Sequence, residues 1–498
     1  MRVPCAGFTL PIMSSSQWII AYWPWIYLLL VVVYAITVAS CIVVVLSERR
    51  NPIKSLAWVI ALIFLPVVGL IVYFFFGRSI KNVHMISRHN KRRLLSKQPP
   101  RNNSDDLHSM PPHLRQISRL TTNLSGYHLN NATSIQVFNN GSDKFEALKK
   151  DLKNAKESIN LQYYIFSDDK LGNEIADILI NKAKEGVTVR VLYDHVGSFS
   201  VKRRFFKRME EAGVQSHPFF RVITPIFASR INWRNHRKVV VIDNSIGYIG
   251  GMNIADRYIN GPDHIEGIWR DTHLRIEGPV VSDMFYSFAV DWNFLKSKKD
   301  VNPIPAPSSI EETSTQHILA QMASSGPTDR WGNIALIFEK AILAAKKSIY
   351  IETPYFLPTD FLLKALQTAA LSNVDVRILI PKRSDSKLLS VASYSFISEC
   401  LESGIKVYLY NPGMLHAKNM IIDDDLVSTG SANFDFRSFE HNFEGNLIIY
   451  DKVINRQMKD VFFQDLEQST KLTLSRWNAR PRRLRMFEAI VRLITPIL

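Results

Sequence analysis

The feature that most narrows what this chain can fold into is that its second half repeats its first. Asn235-His236-Arg237-Lys238 runs into a Val-Val-Val-Ile stretch ending at Asp243, and His416-Ala417-Lys418 runs into a similar stretch ending at Asp423. Both are His-x-Lys-x4-Asp, 180 residues apart. A glycine-containing turn follows each, Gly250-Gly251-Met252-Asn253 and Gly430-Ser431-Ala432-Asn433, with each Asn 17 residues after its His. Upstream, Ser158–Phe166 and Ser348–Phe356 read as strands 190 residues apart, and Val187–Tyr193 and Val374–Ile380 as strands 187 apart. Helical patterns at Leu171–Lys184 and Phe361–Ala370 separate the strands of each pair. The drift in offset is what differing loop lengths produce, so the pattern predicts two duplicated α/β domains built on βαβ units. We expect the first over 135–297 and the second over 316–475, divided by the Pro/Ser-rich linker 298–315.

Two apolar runs precede the repeat. Ile26–Leu46 is 21 residues without a charge, and Leu56–Phe76 is a second such run. Each is long enough for a hydrocarbon core of roughly 30 Å. Trp18, Trp23, Trp25 and Tyr27 flank the first, and Tyr73 and Phe74 to Phe76 end the second, where aromatics suit the water interface. A cleaved signal peptide competes for the first run, but the second run follows within ten residues, which favours a membrane hairpin over residues 1–80. Arg78, Lys81, Arg88, Lys91, Arg92, Arg93 and Lys97 outnumber the basic residues of the connection, so everything after residue 77 is expected in the cytoplasm. Residues 81–134 read as a basic and polar linker with one short helix. The tail, 476–498, sets Arg480, Arg482, Arg483, Arg485 and Arg492 among Leu484, Phe487, Ile490, Val491 and Ile494. It reads either as an amphipathic helix on anionic lipid or as core packing with a solvated basic edge.

With 61 Lys and Arg against 45 Asp and Glu, the net charge of +16 favours an anionic partner, nucleic acid or membrane. The charge is heaviest after the second apolar run and in the tail, which favours the membrane. Cys5, Cys41 and Cys400 are too few and too scattered for a disulfide framework or a cysteine-based zinc site.

In the first motif His236 and Lys238 have one parity along an extended chain, as do His416 and Lys418, so each pair projects from one face. An imidazole can attack phosphorus or transfer protons near neutral pH, and an ammonium beside it offers fixed charge to a phosphate. The amides of Asn253 and Asn433 can donate to the same oxygens. Displacement at a phosphodiester needs one group to attack and another to protonate the leaving oxygen, which two half-sites supply together. Asp271 and Glu444, each on a strand-like segment beyond its half's Asn turn, are candidates to orient the imidazoles. Asp243 and Asp423 have the opposite parity and are expected to act through geometry, by tying strand to turn.

These motifs resemble the phospholipase D superfamily, whose signature is a paired His-x-Lys-x4-Asp followed by Gly-Ser-x-Asn; the resemblance covers about 135 to 475. With the apolar runs ending in Phe-Phe-Phe-Gly-Arg and the basic tail ending in Pro-Ile-Leu, the chain is similar to the bacterial cardiolipin synthase family over nearly its whole length. The resemblance implies two phospholipase D-like domains sharing one active site, at the inner membrane as a multi-pass protein. It implies catalytic roles for His236, Lys238, Asp243, His416, Lys418 and Asp423, with His236 as nucleophile, and phosphate contacts from Asn253, Ser431 and Asn433. The implied activity is transfer of a phosphatidyl group from one phosphatidylglycerol to another with loss of glycerol, on an anionic membrane. No metal, organic cofactor or nucleic-acid partner is implied. The superfamily also holds phosphatidylserine synthases, phospholipid hydrolases and nucleases, so the resemblance to it implies chemistry more narrowly than substrate. Gly251 departs from the signature, standing where the second copy has Ser431.

Overall fold

The computed structural model describes residues 15–47, 52–65, 68–69, 73, 110–221, 233–262, 264–295 and 317–494. The chain divides into two compact units, Met1–Ser79 and Ile80–Leu498.

In the first unit, a helix over Ser15–Ser47 contains the one stretch among the described residues long and apolar enough to cross a membrane, Tyr22–Val43. This apolar helix is consistent with membrane association. Of the second expected span, 56–76, the described residues are 56–65, 68–69 and 73, with helix over Pro52–Phe64 and at 68–69; the rest of that span lies outside the described residues. The helix over Pro52–Phe64 packs on the first, with Val45 and Leu62 fully buried and the Tyr34 hydroxyl donating to Leu62 O at 3.3 Å. Among the described residues one span is shown, and the two-span hairpin is not. The basic cluster at 78–97 and the linker 298–315 lie outside the described residues.

In the second unit the duplication appears as two mixed sheets. Each has a parallel core, because a helix crosses over between neighbouring strands, as the βαβ reading expects. The first half provides β2 (Ser134–Phe138), β3 (Ser158–Tyr163), β4 (Thr188–Asp194), β5 (Gln215–Phe219), β6 (Val239–Ile242), β7 (Ile246–Gly250) and β9 (His273–Glu277), in the order β2-β9-β7-β6-β3-β4-β5. The second provides β10 (Ile318–Ser325), β11 (Ser348–Glu352), β12 (Asp375–Pro381), β13 (Lys406–Tyr410), β15 (Asn419–Ile422), β16 (Leu426–Gly430), β17 (Glu444–Ile449) and β18 (Ser469–Lys471). Its edge is completed by β1 (Asn130–Ala132), which pairs with β10. The helix Pro112–Ser125 joins the same half, burying Leu114 and Ile117 in its core. Much of the segment expected as linker thus belongs to the second half's fold.

The Val-Val-Val-Ile run of β6 is apolar at every position because both its faces are buried. Val239 and Val241 share a core with Ile421, Val427 and Leu447 of the other half, whereas Val240 and Ile242 pack with Phe145 and Leu179 under the first half's own helices. The two sheets thus close face to face on one continuous core, which fixes the halves relative to each other.

Candidate active site

The two His-x-Lys segments lie at this junction, in extended chain just before β6 and β15. Backbone pairing across the halves sets their register. Phe443 N donates to Arg234 O at 2.8 Å and His236 N to Phe443 O at 2.9 Å, which puts Glu444 beside His236. In the other direction β14 (Gly413–Leu415) runs parallel to β8 (Ile268–Arg270), and His416 N donates to Arg270 O at 2.7 Å, which puts Asp271 beside His416.

The histidine–carboxylate pairs are consequently crossed. His236 Nδ1 lies 3.0 and 3.1 Å from the two carboxylate oxygens of Glu444, from the second half. His416 Nδ1 lies 2.6 Å from Asp271 Oδ2, from the first. With each Nδ1–H donated to a carboxylate, each Nε2 is left as an acceptor or nucleophile. Burial lowers the His236 pKa against the pull of Glu444. Burial, then Lys418, pushes His416 down to about 4, so both imidazoles are neutral near pH 7. Burial alone would raise Asp271 and Glu444, but Lys418 and His416 around the first, and His236 and Lys238 around the second, hold both below the ordinary carboxylate range. Burial also draws down both ammonium groups, Lys238 well below its usual value. Lys238 Nζ donates to His236 O at 2.6 Å; Lys418 Nζ donates to His416 O and lies 2.8 Å from His416 Nδ1.

The remaining predicted residues divide by position. Asn253 and Asn433 line the cavity between the histidines. Asn253 accepts from Ile165 N and donates to the Tyr258 hydroxyl at 2.6 Å, while Asn433 donates to Asp435 at 3.0 Å and its Oδ1 is buried without a partner among the described residues. Ser431 does not line the cavity. Its hydroxyl donates to Glu444 Oε2 at 2.5 Å and accepts from Gly445 N, so it steadies the carboxylate behind His236. Gly251, at the matching place, leaves room for Asp271: a Cβ there would lie 2.1 Å from Asp271 Oδ1. One half uses a long carboxylate plus a hydroxyl, the other a short carboxylate plus bare backbone.

Asp243 and Asp423 do not line the cavity either. Asp243 accepts from the backbone amides of Lys156, Glu157 and Ser158, each at 2.8 Å, and Asp423 from those of Lys346, Lys347 and Ser348 at 2.9, 2.7 and 2.9 Å. Both sit in the left-handed region, at φ 50° and 46°, which aspartate tolerates in tight turns. They pin the starts of β3 and β11 to the strands that follow the catalytic motifs.

The cavity holds about 200 Å³, the scale of a phosphorylated head group rather than of acyl chains. Its wall includes residues the motifs did not announce. Tyr164 stands edge-on to His236 at 5.1 Å, and Trp269 and Tyr258 flank His416 at 5.2 and 6.0 Å. The Trp269 indole N–H and Arg257 Nε are buried without partners among the described residues. Arg257 and Arg437 each follow their motif's Asn by four residues, 180 apart, so the repeat itself held that signal. Trp269 could not be found that way, because Asn442 takes its place before Glu444.

Two α/β halves, each supplying a histidine to one cavity, a lysine held behind that histidine and off the cavity lining, and a carboxylate to the other half's histidine, define a phospholipase D-like protein. A family model described as cardiolipin synthase, PLD-like domain, matches residues 148–274 and 338–466, and a phospholipase D-nuclease N-terminal model matches 24–78. The chain is 38% identical over 461 residues to cardiolipin synthase 2 of Bacillus anthracis, covering 91% of this chain and 89% of that one. It is 37% identical over 480 residues to the major cardiolipin synthase ClsA of Bacillus subtilis (strain 168), covering 95% and 99%. The chain belongs to the cardiolipin synthase family. The crystal structure of phosphatidylserine synthase from Haemophilus influenzae Rd KW20 superposes with a TM-score of 0.59 at 16% identity, over 78% of this chain and 100% of that one, and so shares the fold.

Proposed function

We propose that this protein is a membrane phosphatidyltransferase that makes cardiolipin from two molecules of phosphatidylglycerol. The observation that carries this reading is the crossed pair of histidines, each oriented by the opposite half's carboxylate and facing one head-group-sized cavity. His236 Nε2 attacks the phosphorus of the first lipid, forming a P–N bond as the P–O bond to glycerol breaks. His416 supplies the proton that the departing glycerol oxygen takes up. A hydroxyl of the second phosphatidylglycerol then attacks phosphorus, giving its proton to His416 and releasing His236. Asn253 and Asn433, with the two lysines, contact the phosphate oxygens that gain charge in each step.

His416 is a weak proton carrier in the empty site because Lys418 lies against its Nδ1. When the ammonium turns to the phosphate, that repulsion is relieved and Asp271, at 2.6 Å, stabilises the imidazolium. Ser431 serves the reaction by positioning Glu444, and Asp243 and Asp423 serve the fold by pinning the strands beside the motifs.

Purified protein given phosphatidylglycerol is expected to release glycerol and form cardiolipin; phosphatidic acid alone would make it a hydrolase, and DNA cleavage without lipid turnover would remove the lipid reading. Because a P–N bond is acid-labile, the phosphohistidine is trapped under alkaline conditions; it is expected at 236, and finding it at 416 would reverse the two roles. We also propose, from the basic residues at 78–97, that the catalytic halves face the cytoplasm at the inner membrane. Protease added to intact cells should spare them, and cleavage would overturn that orientation.

A further inference from the structure

The helix Arg482–Ile494 at the end of the chain is docked by one side only. Arg480 pairs with both carboxylate oxygens of Glu488, at 2.7 and 2.9 Å, and Glu488 and Val491 are buried. Arg492 binds the Glu399 carboxylate and lies 4.3 Å over the Phe396 ring. The opposite side carries Met486, Phe487, Ile490 and Leu493, exposed by 65, 51, 54 and 79%. At 3.6 residues per turn these four fall in an arc of about 120° that excludes Glu488, Val491 and Arg492. A helix serving only to cover the fold would turn a polar face outward; this one turns out its apolar stripe. Arg482, Arg483 and Arg485 stand exposed at its start.

The occupant of that stripe has to be apolar at depth and anionic at its rim. A second copy meets the first condition and not the second, since the one acidic residue of this helix, Glu488, is buried against Arg480 and leaves the arginines of a paired helix no carboxylate to meet. A bilayer surface with anionic head groups meets both. The helix also packs against Lys387–Tyr394, in which Leu389 lines the catalytic cavity and Leu388 is exposed. The stripe and the cavity rim are therefore joined through one short helix.

We propose that the exposed face of Arg482–Ile494 seats in the surface of an anionic phospholipid bilayer and holds the mouth of the catalytic cavity at head-group level. The second clause rests on the lipid substrate proposed above; the seating does not.

Because the apolar N-terminal helix would keep the full chain with lipid in any case, the test uses a local reporter. The full-length protein, with photoreactive p-benzoylphenylalanine in place of Phe487, is irradiated in nanodiscs of phosphatidylglycerol and phosphatidylcholine or of phosphatidylcholine alone. Phospholipid adducts are expected, several-fold fewer without the anionic lipid. A cross-linked dimer in their place, or no lipid adduct, overturns the seating. A second arm compares turnover of the Met486→Gln, Phe487→Gln, Ile490→Gln triple variant on phosphatidylglycerol bilayers and on micelle-dispersed short-chain phosphatidylglycerol. Loss of roughly tenfold on bilayers with less than about twofold on micelles is expected. Equal loss on both would make the stripe a packing feature and overturn the functional clause. If wild-type protein turns over neither substrate, the lipid-transfer reading fails while the cross-linking result still judges the seating.

Discussion

Changing Asp271 to asparagine puts the crossed architecture to its sharpest test. Asp271 is fully buried, with Oδ1 accepting from Thr272 N at 2.7 Å and Oδ2 at 2.6 Å from His416 Nδ1. An asparagine keeps its carbonyl oxygen on the Thr272 amide and turns its NH2 toward His416. That donor requires a lone pair on Nδ1 and so moves the imidazole proton to Nε2, the wrong tautomer for taking a proton from substrate. It also removes the charge that stabilises an imidazolium and balances Lys418. A lost charged hydrogen bond costs about 1.5–3 kcal/mol, and an orienting carboxylate exchanged for its amide with geometry intact costs up to about 10⁴ in kcat in serine-protease triads. We therefore expect kcat for cardiolipin formation to fall by about 10² to 10⁴, with a smaller change in KM. Thermal melts in detergent supply the partner assignment. Asp271→Asn should couple to His416→Gln by about 1–3 kcal/mol and be additive within about 0.5 kcal/mol with His236→Gln. Turnover within tenfold of wild type, or stronger coupling to His236, would refute the reasoning.

Three further outcomes follow from neighbouring contacts. The folded pKa of His416, about 4, lies below the 6.5 of an unperturbed histidine, so its contribution is complete above pH 6.5 and is lost as pH falls toward 4. Over that window it removes roughly 3 kcal/mol of stability, and His416→Gln should flatten the pH dependence of melting; an unchanged slope would contradict this. Gly251→Ser, which makes the first turn resemble the second, should abolish turnover by driving Asp271 off His416, because the new Cβ would meet Asp271 Oδ1 at 2.1 Å. Increased activity in that variant would show that the missing hydroxyl, not the missing Cβ, distinguishes the halves. Asp423→Ala leaves three backbone amides without their acceptor and should destabilise by about 2–4 kcal/mol, while the folded fraction keeps near-normal kcat. A large kcat loss without a change in melting would instead make Asp423 a direct participant.

Much of this protein was legible before any coordinates, for reasons particular to each feature. The repeat offsets located β3 and β4, β11 and β12, and both His-Lys pairs, because a duplicated motif carries its spacing in the chain. The parity of His236 and Lys238 placed each pair on one face of extended chain, whereas the burial of β6 on both faces shows only in the structure. Of the second expected span, the helix over Pro52–Phe64 packs on the first, and the remainder falls largely outside the described residues. The segment before the first half looked like a linker because its pattern is short and polar, yet Leu114 and Ile117 suffice to dock its helix on the second half.

The opening repeat itself set the chemistry: two histidines, two lysines and two candidate carboxylates, Asp271 and Glu444, can be read from the chain, because local spacing fixes which residues share a strand face. Which carboxylate serves which histidine could not be read, since that depends on hydrogen bonds between strands 145 and 208 residues apart in sequence. Only the closure of the two sheets on a common core, with Phe443 paired to Arg234 and Leu415 to Arg270, brings each histidine to the other half's carboxylate. The same closure explains Gly251 and Ser431, because it decides how much room each carboxylate has behind its histidine.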